Sequence, residues 1–341
     1  FSTIERNGST TDLVRVDARS GERQLLIRGA ELVLPGQTEP VFIESYQFSQ
    51  DRSKALIFTN SVRVWRQNTK GEFYVWHLRR GQLTPVSTEP GLQQFAKFSP
   101  DGRYVGFVRD NNIFVTDLRS QRERQLTFDG DENIINGTSD WVYEEELGLR
   151  DAFRFSPDGK RIAFWRFDQS EIKTFYMVDN LSLYPELLPV RYPKAGEQNS
   201  TVRIGTVEVS SGETTWMDLG TESDVYIPRI GFAGSSDEIW LTRLNRHQNR
   251  LELLLASVDD GTVSVVMAET DDAWVDNVEP LWIDRGRQFV FRSERGGFSQ
   301  LYLYNRDGSL VRKLTDTAWD VSTVHGVDER SGLVFFNGAG E

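Results

Sequence analysis

Residues 154–165 read R-F-S-P-D-G-K-R-I-A-F-W, and residues 96–107 repeat the pattern as A-K-F-S-P-D-G-R-Y-V-G-F. A looser copy, Y-Q-F-S-Q-D-R-S-K-A-L-I-F, occupies residues 46–58. In each, apolar residues alternate with polar ones on both sides of a turn, the period-two signature of half-buried strands. Pro-Asp-Gly supplies the turn: glycine takes positive φ and aspartate satisfies nearby backbone. A second kind of hairpin alternates with it, as at residues 13–27, 113–126 and 300–314, about a polar turn such as Ser-Gly-Glu or Asp-Gly-Ser. Two hairpins make four strands. The steps from Ser49 to Ser99 and from Ser99 to Ser156, 50 and 57 residues, match a propeller blade with insertions.

Weaker copies stand at residues 229–241, 281–292 and 323–336. The fold class expected is therefore all-β, a β-propeller of four-stranded blades with about six to seven blades represented. The first blade lacks its opening strands and the last its closing ones. Open edges invite pairing with another segment, so a longer parent chain is expected.

Composition narrows the function classes. A net charge of −12 argues against a phosphate-binding surface, so no nucleic-acid partner is expected, and it mildly favours cationic partners. There is no cysteine and there are only three histidines, His77, His247 and His325. Thiolate or histidine-rich metal sites and a Ser-His-Asp triad within these residues are not expected, and no metal or cofactor is called for. No apolar run is long enough to span a bilayer. G-x-S-x-G, Walker A, H-E-x-x-H and EF-hand patterns are absent. Asn136 and Asn199 open N-x-T or N-x-S/T glycosylation triplets, a pattern common by chance.

Two insertions break the blade rhythm, at residues 128–150 and 168–201, and insertions in repeat folds gather on functional faces. The first contains T-S-D-W-V-Y-E-E-E at residues 138–146. Ser139 or Asp140 can cap a short helix whose first turn would carry the acids, where the helix dipole favours negative charge. Successive helical residues point about 100° apart, so two of Glu144, Glu145 and Glu146 can converge on one cation while the third looks elsewhere. An acidic run alone reads as a solvated helix end; Trp141 and Tyr143 just upstream, in a chain of strands, set this one apart. The second insertion is an aromatic, proline-punctuated arm that includes R-Y-P-K-A-G at residues 191–196. A smaller departure is Trp65-Arg66, a bulky ring beside a cation at a hairpin tip.

These stretches resemble the amino-terminal β-propeller of the dipeptidyl peptidase IV family of serine peptidases. D-W-V-Y-E-E-E at residues 140–146, R-Y-P-K-A-G, the Trp65-Arg66 pair and F-R-F-S-P-D-G-K-R-I-A-F carry the resemblance, which spans essentially the whole chain. It implies an eight-bladed parent propeller over an α/β-hydrolase domain that holds the catalytic Ser, Asp and His, so that these residues alone lack catalytic groups. It further implies that Glu145 and Glu146 bind the free amino terminus of a peptide substrate and that Arg66 meets a substrate carbonyl. Glu144, Tyr143 and Trp141 would then support the site. The released product would be a dipeptide with Pro or Ala second. The arm at residues 172–192 would contribute to a homodimer, and the setting would be periplasmic or secreted. The family's hydrophobic wall would fall near residues 274–278, where the local match is poor. Two other readings use the same residues: a stand-alone propeller that binds a protein or peptide, and the propeller of a tripeptidyl peptidase relative.

Overall fold

The computed structural model describes residues 1–340, and its chain divides into two compact units, Phe1–Asp131 and Glu132–Glu341. Both are built of antiparallel strands, as the alternating hairpins require.

The first unit opens with a three-stranded sheet of Ser2–Asn7, Thr10–Val16 and Arg23–Ile27. Two four-stranded meanders follow. One runs Ser45–Phe48, Lys54–Val64, Gln67–His77 and Gln82–Pro85; the other runs Gln93–Phe98, Tyr104–Arg109, Asn112–Asp117 and Arg122–Gln125. They join where Lys70 and Gly71 pair with Gln94 and Gln93. Alternation along Lys54–Val64 explains the packing. Ala55 and Ile57 enter one core with Leu13, Ile27 and Trp76, while Leu56 enters another with Val75, Val105 and Phe107. A strand buried on both faces carries a near-continuous apolar run, as Ala55-Leu56-Ile57 does.

The second unit begins with a five-stranded sheet of Ile134–Asn136, Phe153–Phe155, Arg161–Asp168, Thr201–Glu208 and Thr214–Trp216. Two four-stranded sheets follow: Val225–Phe232, Glu238–Asn245, Arg250–Ser257 and Val263–Thr270, then Leu281–Ile283, Gln288–Ser293, Gln300–Asn305 and Leu310–Lys313. A hairpin of Val321–Asp328 and Leu333–Gly338 ends it. The weaker repeat copies thus form strands too. Insertion 128–150 carries helix α1, Trp141–Glu145, and insertion 168–201 forms a separate two-stranded arm of Thr174–Asp179 and Glu186–Arg191.

The repeated Ser-x-Asp turn has one geometry in three places. The Ser49, Ser99 and Ser156 hydroxyls donate to Asp51, Asp101 and Asp158 at 2.6, 2.5 and 2.7 Å. The same oxygens accept from the backbone N–H groups of Lys54, Tyr104 and Arg161 at 3.1, 2.9 and 2.9 Å. The fourth turn residue is left-handed in all three: Arg52 (φ 53°), Gly102 (φ 67°) and Gly159 (φ 71°). The serines are buried, so each must spend its hydrogen bonds inside the turn. Glycine is the residue for that φ, and Arg52 occupies it with a side chain.

Candidate substrate-recognition site

The Glu-rich insertion folds into a helix of five residues because its start is chemically fixed. Asp140 is the N-cap: its Oδ1 accepts the Tyr143 backbone N–H at 2.9 Å, and its Oδ2 accepts the Ser200 hydroxyl at 2.6 Å. Such a cap stabilises a helix by about 1 kcal/mol. Asp140 is almost fully buried, and burial pushes its carboxyl above the usual aspartate range.

Tyr143 points inward and is 1% exposed. Its hydroxyl accepts the Ile227 backbone N–H at 2.9 Å, while the Trp165 indole donates to the Ile227 carbonyl at 2.7 Å. Both polar groups of a buried residue are thereby satisfied by aromatic side chains. Burial pushes the Tyr143 hydroxyl well above the usual tyrosine range, so it stays protonated. The ring also meets Phe167 at 4.6 Å and Tyr226 at 6.1 Å. Trp141, on the other side of the helix, packs on Tyr192 of the R-Y-P-K-A-G run at 4.2 Å. Arg191 of that run donates to Asn133 at 2.8 Å and to the Ile172 carbonyl at 2.9 Å, tying the arm to the segment that leads into α1.

The three glutamates differ in setting. Glu144 is buried and accepts from Arg150 Nε at 3.0 Å. Glu145 is half-buried, and Glu146 is exposed. Glu146 Oε1 accepts from Gln248 Nε2 at 3.0 Å. The helix-dipole expectation applies to Glu144 alone, because Glu145 is the last helical residue and Glu146 the C-cap.

Gln248 sits in the tip that joins Glu238–Asn245 to Arg250–Ser257, with a left-handed φ of 55°. Asn245 clamps that tip, its Oδ1 accepting from the backbone N–H groups of Asn249 and Arg250 at 3.0 Å each. The Gln248 carbonyl accepts from Val275 at 2.9 Å. One strained tip thus links Glu146 to the 274–278 stretch, where Trp274 and Val278 line a cavity with Glu269, Arg292 and Glu294. Burial pushes the Glu294 carboxyl up, with Asp276 adding to it. A non-glycine residue at positive φ is uncommon, and such residues gather at functional sites.

Arg66 belongs to the first unit, where it is exposed at the tip between Lys54–Val64 and Gln67–His77. Val64 pairs with Gln67, Trp65 takes φ 52°, and Arg63 Nε donates to the Trp65 carbonyl at 2.7 Å. Sequence reasoning missed Arg150, Ser200 and Gln248. Arg150 had a signal, a basic residue just past the acidic run; Ser200 and Gln248 lie in other strand connections and had none.

Among the described residues no group of His, Cys, Asp and Glu could hold a metal ion, and no helix is long and apolar enough to cross a membrane.

Residues 49–341 match the family described as the dipeptidyl peptidase IV (DPP IV) N-terminal region. A probable dipeptidyl peptidase 4 of Aspergillus fumigatus is 30% identical over 334 residues, covering 92% of this chain and 43% of that protein. The Trichophyton rubrum dipeptidyl peptidase 4 is 30% identical over 308 residues, 85% of this chain and 39% of its own. The crystal structure of Porphyromonas gingivalis dipeptidyl peptidase 4 superposes with a TM-score of 0.90 at 33% identity, over 99% of this chain and 48% of that one. The chain therefore spans less than half the length of these relatives. Together with the all-β sheets and the anchored acidic turn, these matches place the fold among β-propellers, and the chain belongs to the dipeptidyl peptidase IV N-terminal region family.

Proposed function

We propose that this chain is the substrate-gating propeller of a serine dipeptidyl aminopeptidase, in which α1 holds the free amino terminus of a peptide. Glu145 and Glu146 take the ammonium, and Arg66 takes a substrate carbonyl near that end. The observation that carries the reading is the division of labour within the glutamate triplet. Arg150 engages Glu144 and keeps it in the scaffold, whereas Glu146 is presented to solvent at the end of an anchored helix. An ammonium has three N–H donors, and each charge-assisted bond to a carboxylate contributes about 1.5–3 kcal/mol. Fixing the amino terminus at a set distance from a nucleophile makes cleavage fall a set number of residues along the peptide. The nucleophile itself belongs to an α/β-hydrolase domain of the same polypeptide, and the preferred product is an Xaa-Pro or Xaa-Ala dipeptide.

The arm fits a homodimer contact in this scheme. Leu181, Leu183 and Tyr184 at its tip are 97%, 92% and 79% exposed, an apolar surface that a second copy would cover.

The test uses the full-length polypeptide. Glu145→Ala and Glu146→Ala should each lower kcat/KM for a free-amine Xaa-Pro substrate by about 10- to 100-fold, the size of one charge-assisted bond. An N-acetylated substrate should be refused by the parent protein. Parental turnover of the free-amine substrate by both variants overturns the assignment.

A further inference from the structure

The first unit carries a cationic cavity that the acidic turn does not explain. The chain as a whole is strongly acidic, yet that excess falls in the second unit and the first is close to balanced. Lys54, His77, Arg79, Arg80, Arg103 and Arg119 line one cavity of about 440 Å³, with Ser53, Gly102 and Leu118 completing its wall. No acidic side chain lines it. Arg103 is bonded to Asp117 at 2.9 Å. Among the described residues Lys54, Arg79, Arg80 and Arg119 make no ion pair. Gathering like charges around one space costs energy unless an anion joins them, and burial together with Arg80 and Lys54 lowers the affinity of His77 for a proton.

The repeats show that the fold does not require these cations. In successive sheets the tip of the second hairpin is held by the same backbone bond to the turn of the first: Leu78 N to Ser53 O, Leu118 N to Arg103 O, Val209 N to Lys160 O and Val258 N to Asp237 O, at 2.8–3.0 Å. The two residues after that donor are Arg79-Arg80 and Arg119-Ser120 around the cavity. They are Ser210-Ser211 and Asp259-Asp260 in the next two sheets. There the cation corresponding to Lys54, Arg161, is already neutralised by Asp259 at 2.8 Å. One template thus carries basic, neutral or acidic tips, and the two sheets around the cavity carry the basic ones, with Arg103 paired to Asp117.

We propose that this cavity is a binding site for a multiply charged oxyanion bearing phosphate or sulfate groups. Guanidinium groups present planar forks of N–H donors that match phosphate and sulfate oxygens two at a time, and Lys54 adds a point charge. The volume admits a ligand of several such groups and lies within the usual range of small-molecule sites.

The test is isothermal titration of the full-length protein at 50 mM and 200 mM NaCl, with tripolyphosphate in one arm and a trisulfated disaccharide in the other. The comparison protein is Arg79→Ser/Arg80→Ser/Arg119→Ser, which gives both tips the serines that Ser210-Ser211 already place in this fold. Saturable binding of at least one anion is expected, weaker at the higher salt and at least tenfold weaker in the variant. The arm that binds more tightly names phosphate or sulfate as the source. Failure of the parent to bind either anion overturns the proposal, as does equal affinity of parent and variant. Turnover of the free-amine peptide substrate should be the same in both proteins, which separates this site from the acidic turn.

Discussion

Tyr143→Phe removes one oxygen atom from the anchor of α1 and leaves the ring. The contacts with Phe167 and Tyr226 and the buried position remain available to phenylalanine, so little apolar packing is lost. What disappears is the acceptor for the Ile227 backbone N–H at 2.9 Å. That N–H is then orphaned in a fully buried residue, which costs about 1–3 kcal/mol. For a unit of this size each kcal/mol lowers Tm by about 2–4 °C, so a fall of roughly 2–12 °C is expected. Differential scanning calorimetry of the variant measures it, with Tyr176→Phe on the exposed arm as a control expected within about 0.5 kcal/mol of the parent. Trp165→Phe removes the donor to the Ile227 carbonyl, and because both changes act on one residue their effects should couple by about 0.5 kcal/mol or more in the double variant. A Tyr143→Phe protein that melts with the parent would falsify the anchoring role, and strict additivity with Trp165→Phe would show that Ile227 is not the shared link.

Asp140→Asn should change the pH dependence of stability. Burial raises the folded-state carboxyl above its unfolded value, so the folded form holds a proton more tightly. Its contribution is fully present below the unfolded pKa of about 3.9 and is lost as pH rises through the folded pKa. Melting temperatures from pH 4 to pH 8 should fall less steeply for the asparagine variant, which retains the cap oxygen; parallel curves would refute the assignment. Gly212→Ala and Gly261→Ala place the same methyl at the same turn position, with φ of 80° and 75°. At Gly212 nothing lies within 4 Å and the cost should be that of the left-handed backbone, about 1–2 kcal/mol. At Gly261 the methyl would stand 2.1 Å from the Trp216 carbonyl oxygen, so urea unfolding should show a clearly larger loss. Arg52→Gly should raise stability slightly by relieving a left-handed arginine (φ 53°), and a loss beyond about 1 kcal/mol would contradict that reading.

Local chemistry made the blades legible. The Ser-x-Asp turn closes within six residues, so its hydrogen bonds can be foreseen from the order of the residues, and alternation dictates which neighbours become strands. The same locality announced the helix at residues 141–145: a capping aspartate, two aromatics to bury, and carboxylates after them. Sequence left open whether Ser139 or Asp140 caps it. Burial against Ser200 decided for Asp140, a contact between residues 60 positions apart. The placement of acids in the first helical turn did not follow from sequence either. It depends on where the helix stops, which leaves Glu146 at the C-cap.

By itself the sequence determined the strand pairs, the turn types, the two insertions and the family resemblance, because each rests on residues close together in the chain or on a repeated order. Only tertiary structure decided how the three glutamates part company. Arg150 engages Glu144, Gln248 bonds Glu146 from 102 residues away, and Ile227 receives Tyr143 and Trp165 at once. The cationic cavity has the same origin. Lys54, Arg79, Arg103 and Arg119 are ordinary surface residues in four separate turns until the sheets bring those turns to one wall. Side-chain charges interact through space, and a linear order of residues does not say which turns will share it.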